Sequence, residues 1–395
     1  MDIFNGFSQS SFSPIKCIDM HTTGEPTRII IAGYPDLPGD TLLEKRQQAK
    51  DHYDHLRLRL MLEPRGHWDM YGALLIQETE FVKSGEADIG VLFMHNDGYS
   101  TMCGHATIAL GRFLVDTHDR GVFPRRNHLH FDPDKDITIV RLHAPCGVVQ
   151  IAVPTMQDGK SADYQRRVSF ISTPAFASAV QVPVEIPPEK RWPELNGRTS
   201  IILDVSCGGT FYAIVSAREL GFPSGLRKVD MDAMGRCVKL LKSHLVASPE
   251  FANYIKHPTT PDLSFLYSVM VVDDDLGVVP EGSGGAETGL CYFADHQIDR
   301  SPTGSCVVAR MALAHRKGLR RVGQRWTYHS LVSNAYGGNG GFTASIVEEV
   351  EIEGNGKGVL VEVEGKACYT GSMTLIAEDC DPIAKSGFSM KSVSL

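Results

Sequence analysis

Two short stretches, Met102-Cys103-Gly104-His105 and Ser301-Pro302-Thr303-Gly304-Ser305, each open an apolar, Ala-rich run, and the character of those runs decides the fold. After Cys103, the residues Ala106, Ala109, Leu110, Phe113 and Leu114 recur at i, i+3, i+4, i+7 and i+8, and Ile108 adds apolar surface on another side. After Thr303, the residues Cys306 to Ala309 and Met311 to Ala314 leave almost no polar face. A helix that is apolar nearly all round is a buried one. The pattern predicts a central helix enclosed by strands, once in each half of the chain, rather than alternating βαβ units. Cys103-Gly104-His105-Ala106 can be laid over Thr303-Gly304-Ser305-Cys306, which points to a duplication.

The surroundings supply the strands. Runs rich in Val and Ile, bounded by Gly, Pro or Asp, predict strands at 27–32, 137–142, 147–153, 199–205, 211–216, 265–272, 342–352, 359–363 and 372–377. Thr41 and Glu44 make a capping box that predicts one long helix running to the Glu63-Pro64 stop, and a second helix is expected over 230–245. The polar stretch Gln157-Asp158-Gly159-Lys160-Ser161 marks a domain boundary. The expected organisation is therefore a mobile, Ser-rich N-terminal arm (1–13), a first α/β domain (14–165) carrying Cys103, and a second (166–367) carrying Thr303.

Composition narrows the function. At 395 residues and 42% hydrophobic content the chain can bury a large core, and its length favours two domains over one. A formal net charge of −8 offers no basic footprint for nucleic acid or an anionic membrane, so a small molecule is the expected partner. No apolar run approaches the roughly 18 residues that span a bilayer, and the first 15 residues lack the apolar core of a secretory signal. Nine cysteines without a C-x-x-C pair argue against a disulfide framework or a zinc ribbon and fit reduced thiols in the cytoplasm.

Cys103 is the candidate base. A free thiol has a pKa of about 8.5, and a helix N-terminus favours its thiolate. Gly104 allows close approach of a ligand to the backbone, and His105 adds a polar group beside the sulfur. In the second stretch, an N-capped helix after a Pro turn presents the N–H groups of Gly304 and Ser305, and Asp299 can accept a hydrogen bond from a substrate ammonium. Two helix N-termini holding one carboxylate would stabilise the charge that develops when its α-proton leaves. Other signals fall away. Gly282-Ser283-Gly284-Gly285 and Gly337-Gly338-Asn339-Gly340-Gly341 lack the lysine and the strand-then-helix setting of a phosphate loop, His52 and His55 lack a third metal ligand, and Cys306 is expected in the core. Spacing leaves His21 and His67 open between structural and binding roles.

The chain resembles the proline racemase superfamily over nearly its whole length. The resemblance rests on Asp19 to Pro26, Pro64 to Gly72, Phe93 to Gly98, Met102 to His105, Cys207 to Tyr212 and Asp299 to Ser305, which occur in the family's order. It implies two pseudo-symmetric mixed α/β domains of the proline racemase and diaminopimelate epimerase type. Each would be a barrel-like sheet around a central helix, with substrate in the cleft between them and the tail 368–395 returning to the first domain. It further implies a homodimer.

Racemising members carry a cysteine in both motifs, whereas Thr303 stands in the second one here. That departure resembles the trans-3-hydroxy-L-proline dehydratase branch. Inverting a stereocentre needs a base on one face and an acid on the other, and a threonine hydroxyl serves poorly as either. In trans-3-hydroxy-L-proline the C2 hydrogen and the C3 hydroxyl share one face, so a single thiol can take the proton and assist the loss of water. The resemblance thus implies Cys103 as the single acid/base, with Gly104, His105, Gly304 and Ser305 holding the carboxylate. His105 and Asp299 would bind the ring nitrogen and Thr303 would line the opposite face. The enamine would tautomerise to Δ1-pyrroline-2-carboxylate, and no metal or organic cofactor is called for. The competing readings are a proline racemase or hydroxyproline 2-epimerase, a non-catalytic protein that binds proline-like ligands, and, more distantly, a diaminopimelate epimerase.

Overall fold

The computed structural model describes residues 13–354, 356–383 and 385–391, so the expected arm, residues 1–13, lies outside the described residues save for Ser13. The chain divides into two compact units. One holds the residues up to Val168 together with those from Lys366 onward; the other runs from Ser169 to Gly365. The breaks fall at 168/169 and 365/366, against 165/166 and 367/368 from the sequence. Packing accounts for the shift. Val168 lies against the first motif helix at Gly111, and the carbonyl of Ala367 accepts a 2.6 Å hydrogen bond from Arg112 of that helix.

In the first unit a continuous row of strands runs Ala367–Leu375, Ile15–Thr22, Glu25–Ala32, Gly72–Ile76, Ile89–Met94, Ile137–Ala144 and Gly147–Pro154. Neighbours pair antiparallel except the third with the fourth and the fifth with the sixth, which are parallel. The helix Gly104–Asp116 packs against both end strands of the row and against several between them, so the sheet curls around it. Its side chains are buried on nearly every side, as the sequence pattern demands. At Gly111 an added Cβ would sit 2.5 Å from Ile151 Cγ2, so glycine here lets helix and strand approach closely.

The second unit repeats this plan. Its row runs Phe176–Glu185, Ser200–Cys207, Phe211–Ser216, Leu266–Asp273, Ala286–Phe293, Trp326–His329, Phe342–Ile352 and Gly356–Gly365. Again the third and fourth strands and the fifth and sixth are the parallel pairs. The enclosed helix is Gly304–Arg316, which touches both end strands, and those ends meet at the Ala175–Val359 bridge. One cation is buried on this helix. Arg310 is held by Glu287 at 2.6 Å and lies 4.6 Å over the Tyr328 ring, so its charge is paired as burial requires.

Two expectations need correction. The capping box of Thr41 and Glu44 is present, but the long helix breaks at Tyr53 into Leu42–His52 and Asp54–Met61. Tyr53 leaves helical geometry, and Asp54 starts a new first turn by pairing with Arg57 at 2.6 Å. The strand expected at 372–377 begins earlier, at Ala367, because it pairs along the whole of Ile15–Thr22. The helix expected at 230–245 is Met231–Ala247, with the Asp230 carboxylate accepting from the N–H groups of Asp232 and Ala233.

Candidate active site

In the first unit Cys103 is the residue before the helix, in extended backbone (φ −146°, ψ 110°), and its side chain makes no capping bond. The first helical hydrogen bond runs from Thr107 N to Cys103 O at 3.0 Å, and the Thr107 hydroxyl donates to the same carbonyl at 2.7 Å. The N–H groups of Gly104 and His105 therefore precede the helix's own ladder and are directed to its N-terminal end. The buried Cys103 Sγ lies 3.2 Å from His105 Nδ1 and 3.6 Å from Nε2. The His105 ring packs edge-on against Tyr71, with centroids 4.8 Å apart at 72°, and Tyr71 shares a 2.5 Å hydrogen bond with Ser100 Oγ. The Thr22 hydroxyl donates to His105 O at 3.0 Å. Helix start, thiol and imidazole are thus fixed together.

The second unit builds a different end. Thr303 also precedes its helix, but in left-handed backbone (φ 61°, ψ 82°), a conformation that costs a β-branched residue about 1–2 kcal/mol. A relay of short bonds holds it. The Asp299 carboxylate accepts from Ser301 N at 2.7 Å, and Ser301 Oγ accepts from Thr303 N at 3.1 Å. The Thr303 hydroxyl is buried and faces the Cys291 thiol. Ser305, the counterpart of His105, shares a 2.6 Å hydrogen bond with the wholly buried Tyr212 hydroxyl. Gly208 covers Ser305 O so closely that an added Cβ would lie 2.2 Å from it.

Near Thr303 lies a second thiol. Burial pushes Cys291 up to about 12, with Asp299 adding to the rise, and its sulfur sits 3.0 Å from Ser268 Oγ. Such a thiol stays protonated at neutral pH and offers no base. Cys306 is fully buried one turn into the helix, as expected, and burial likewise raises its thiol.

Within each unit the sequence-predicted residues come together: Cys103 with Gly104 and His105, and Asp299 with Thr303, Gly304 and Ser305. The His105 ring, expected on a substrate nitrogen, lies on the Cys103 sulfur. Tyr71, Tyr212 and Ser301 escaped individual notice, although Tyr71 and Tyr212 each stand near the end of a motif stretch. Those positions were their signal. His21 Nδ1 accepts from Gly24 N at 3.0 Å and His67 Nδ1 from Asp69 N at 3.2 Å, so both rings close turns. His52 is exposed and His55 half-buried. Among the described residues, the group close enough to hold a metal is Asp273, Asp274 and Asp275, and Arg218 pairs with all three. No helix among them is long and apolar enough to cross a membrane.

Comparison with known proteins follows the same lines. A family model described as proline racemase matches residues 17–389. The trans-3-hydroxy-L-proline dehydratase of Homo sapiens is 39% identical over 379 residues, covering 95% of each chain. A protein of the same name from Colwellia psychrerythraea is 35% identical over 376 residues, covering 94% of this chain and 92% of its own. Among solved structures, a probable proline racemase from Agrobacterium radiobacter with bound carbonate matches with a TM-score of 0.76 at 24% identity, over 96% of this chain and 97% of its own. A hydroxyproline epimerase from Agrobacterium vitis with bound trans-4-OH-L-proline gives 0.75 at 23% identity, over 96% of each. At that identity the structural likeness shows the fold.

Proposed function

Because the chain belongs to the proline racemase family, we propose that it is a trans-3-hydroxy-L-proline dehydratase, a hydro-lyase that eliminates water to give Δ1-pyrroline-2-carboxylate. The supporting observation is the unequal chemistry of the two helix starts. One carries a thiol against an imidazole; the other carries a threonine hydroxyl, a serine tied to a buried tyrosine, and a thiol held protonated by burial. Racemisation asks for acid and base on opposite faces, and the second start supplies neither in usable form.

Elimination from one face needs less. Cys103 as thiolate takes the C2 proton. The electron pair left at C2 forms the C2=C3 bond as the C3 hydroxyl departs with a proton from the same side. The N–H groups of Gly104, His105, Gly304 and Ser305 hold the substrate carboxylate, whose charge grows in the transition state. Asp299, with one oxygen engaged by Ser301, offers its other oxygen to the ring nitrogen. Thr303 lines the face opposite Cys103 and takes no proton. No step calls for a metal or an organic cofactor. A homodimer in the cytoplasm belongs to the same reading, and sedimentation of the purified protein tests the dimer.

The test is incubation with trans-3-hydroxy-L-proline, with product followed by an aldehyde reagent for cyclic imines and with polarimetry on L-proline in parallel. Imine formation without racemisation is expected. An enzyme that interconverts the prolines and leaves the 3-hydroxylated compound intact overturns the reading in favour of a racemase.

A further inference from the structure

We propose that Cys103 and His105 form a thiolate–imidazolium pair that supplies both the base and the acid of the elimination from one helix start. The proposal rests on the dehydratase reading for its substrate. Its ground is geometric: both ring nitrogens of His105 lie within 3.6 Å of the Cys103 sulfur, so whichever nitrogen takes the thiol proton, the two charges are in direct contact. Tyr71 packs edge-on against that ring and Thr22 holds the His105 carbonyl, which keeps the ring in place while a proton moves.

The charges favour separation. The helix N-terminus carries about half a positive charge and stabilises a thiolate while opposing an imidazolium. A full negative charge on sulfur 3.2 Å away outweighs that opposition. On the elements packed against this helix, most charged groups are already committed. Arg28 pairs with Asp19, Arg141 with Asp88, and Tyr369 donates to Asp116. His143 is engaged by Thr79, and burial lowers the His21 imidazole. Lys16, Cys17, Glu25 and Cys368 complete the titratable set of the adjoining strands, with burial holding the Cys17 thiol protonated. Glu25 is buried opposite Thr22 in the strand register.

The protons balance. In the resting enzyme the thiol proton has passed to the ring, leaving sulfur anionic and the imidazole doubly protonated. The thiolate takes the C2 proton, the C2–H electron pair becomes the C2=C3 bond, and the C3–O bond breaks. The departing oxygen takes its proton from His105 and leaves as water. A thiol beside a neutral ring remains, and transfer of one proton from sulfur to nitrogen restores the pair.

Alkylation of Cys103 by iodoacetamide, mapped by mass across a pH series, tests the pair without using the dehydratase reaction. The native enzyme should react with a plateau extending well below the ordinary thiol pKa of about 8.5. In His105→Asn the inflection should move up and the rate at neutral pH fall roughly tenfold or more, since each pKa unit changes the thiolate fraction about tenfold. Coincident profiles overturn the pair. The acid role is read from trans-3-chloro-L-proline, whose chloride leaves without a proton. His105→Asn should lose much less activity on it than on the hydroxylated substrate, and equal losses on both overturn the acid assignment. If the variant does not fold, the ultraviolet thiolate absorbance of the native enzyme minus that of Cys103→Ser decides, and an inflection at or above the ordinary thiol value overturns the pair. A native enzyme that shows the alkylation plateau yet forms no imine refutes the dehydratase reading while supporting the pair.

Discussion

The helix starts at Cys103 and Thr303 occupy the same place in two copies of one strand order, and they solve the same local problem differently. At the first, the residue before the helix is extended, the side chain at 105 is a titratable ring against sulfur, and Thr22 covers the carbonyl at 105 with a hydroxyl. At the second, the residue before the helix is left-handed, the side chain at 305 is a hydroxyl bound to a tyrosine, and Gly208 covers the carbonyl with bare backbone. Equivalent scaffolds therefore hold one end with a thiol against an imidazole and one end built from hydroxyls. The lesson is that the two starts share the N–H groups ahead of the helical ladder, which depend on helix geometry alone, while their side chains differ.

The contrast can be broken most severely at Cys103. Cys103→Ser should lower dehydration at least about 10³-fold, in the range typical for loss of a positioned base, and substantial retained activity in an initial-rate assay would place the base elsewhere. Thr303→Cys should give the hydroxyl end a thiol of its own. We expect deuterium to enter C2 of L- or D-proline in deuterated water, detected by mass, with dehydration kept within about tenfold of native. A folded variant that exchanges nothing would count against the two-face argument.

Smaller effects sharpen the comparison. Tyr212→Phe leaves the buried Ser305 hydroxyl without its partner, and urea denaturation should show a loss of about 1–3 kcal/mol. No change in the midpoint would mean that Ser305 finds another partner. Acid should act more gently and unevenly. Burial lowers the imidazoles of His21, His55 and His143 in the first unit and His257 in the second. The unfolded chain then binds protons more readily than the folded one, so their contribution is complete above an unfolded pKa of about 6.5 and fades as pH falls below it. Urea midpoints should drop between neutral pH and about pH 5, with proteolysis beginning in the unit that holds three of these histidines. A midpoint that rises over the same interval would contradict this.

Much of the plan was legible in the chain. Helices apolar all round declared themselves as enclosed, and strands such as Phe211–Ser216 and Phe342–Ile352 matched their Val- and Ile-rich runs. Others hid for physical reasons. Phe176–Glu185 contains an internal proline, Pro183, and two register shifts, while Trp326–His329 is too short to show alternation. The break at Tyr53 was invisible because no glycine or proline marks it between Leu42 and Leu62. At the site, residue types were readable but contacts were not. Nothing in Cys-Gly-His states that the ring lies along the sulfur, which depends on a partner distant in sequence, Tyr71, and nothing in Pro-Thr-Gly announces a left-handed threonine, which depends on the hydrogen bonds of Asp299 and Ser301.

The pairing of Ile15–Thr22 with Ala367–Leu375 bears on how the molecule is made. The ribosome releases the Thr303 unit as one uninterrupted segment, able to close as soon as Gly365 emerges. The Cys103 unit must wait, its first strand exposed along one edge, until the last strand arrives. Nascent chains stalled before Ala367 should therefore display that open edge to chaperones, and Cys103 should acquire its full surroundings only once Ala367–Leu375 has been made.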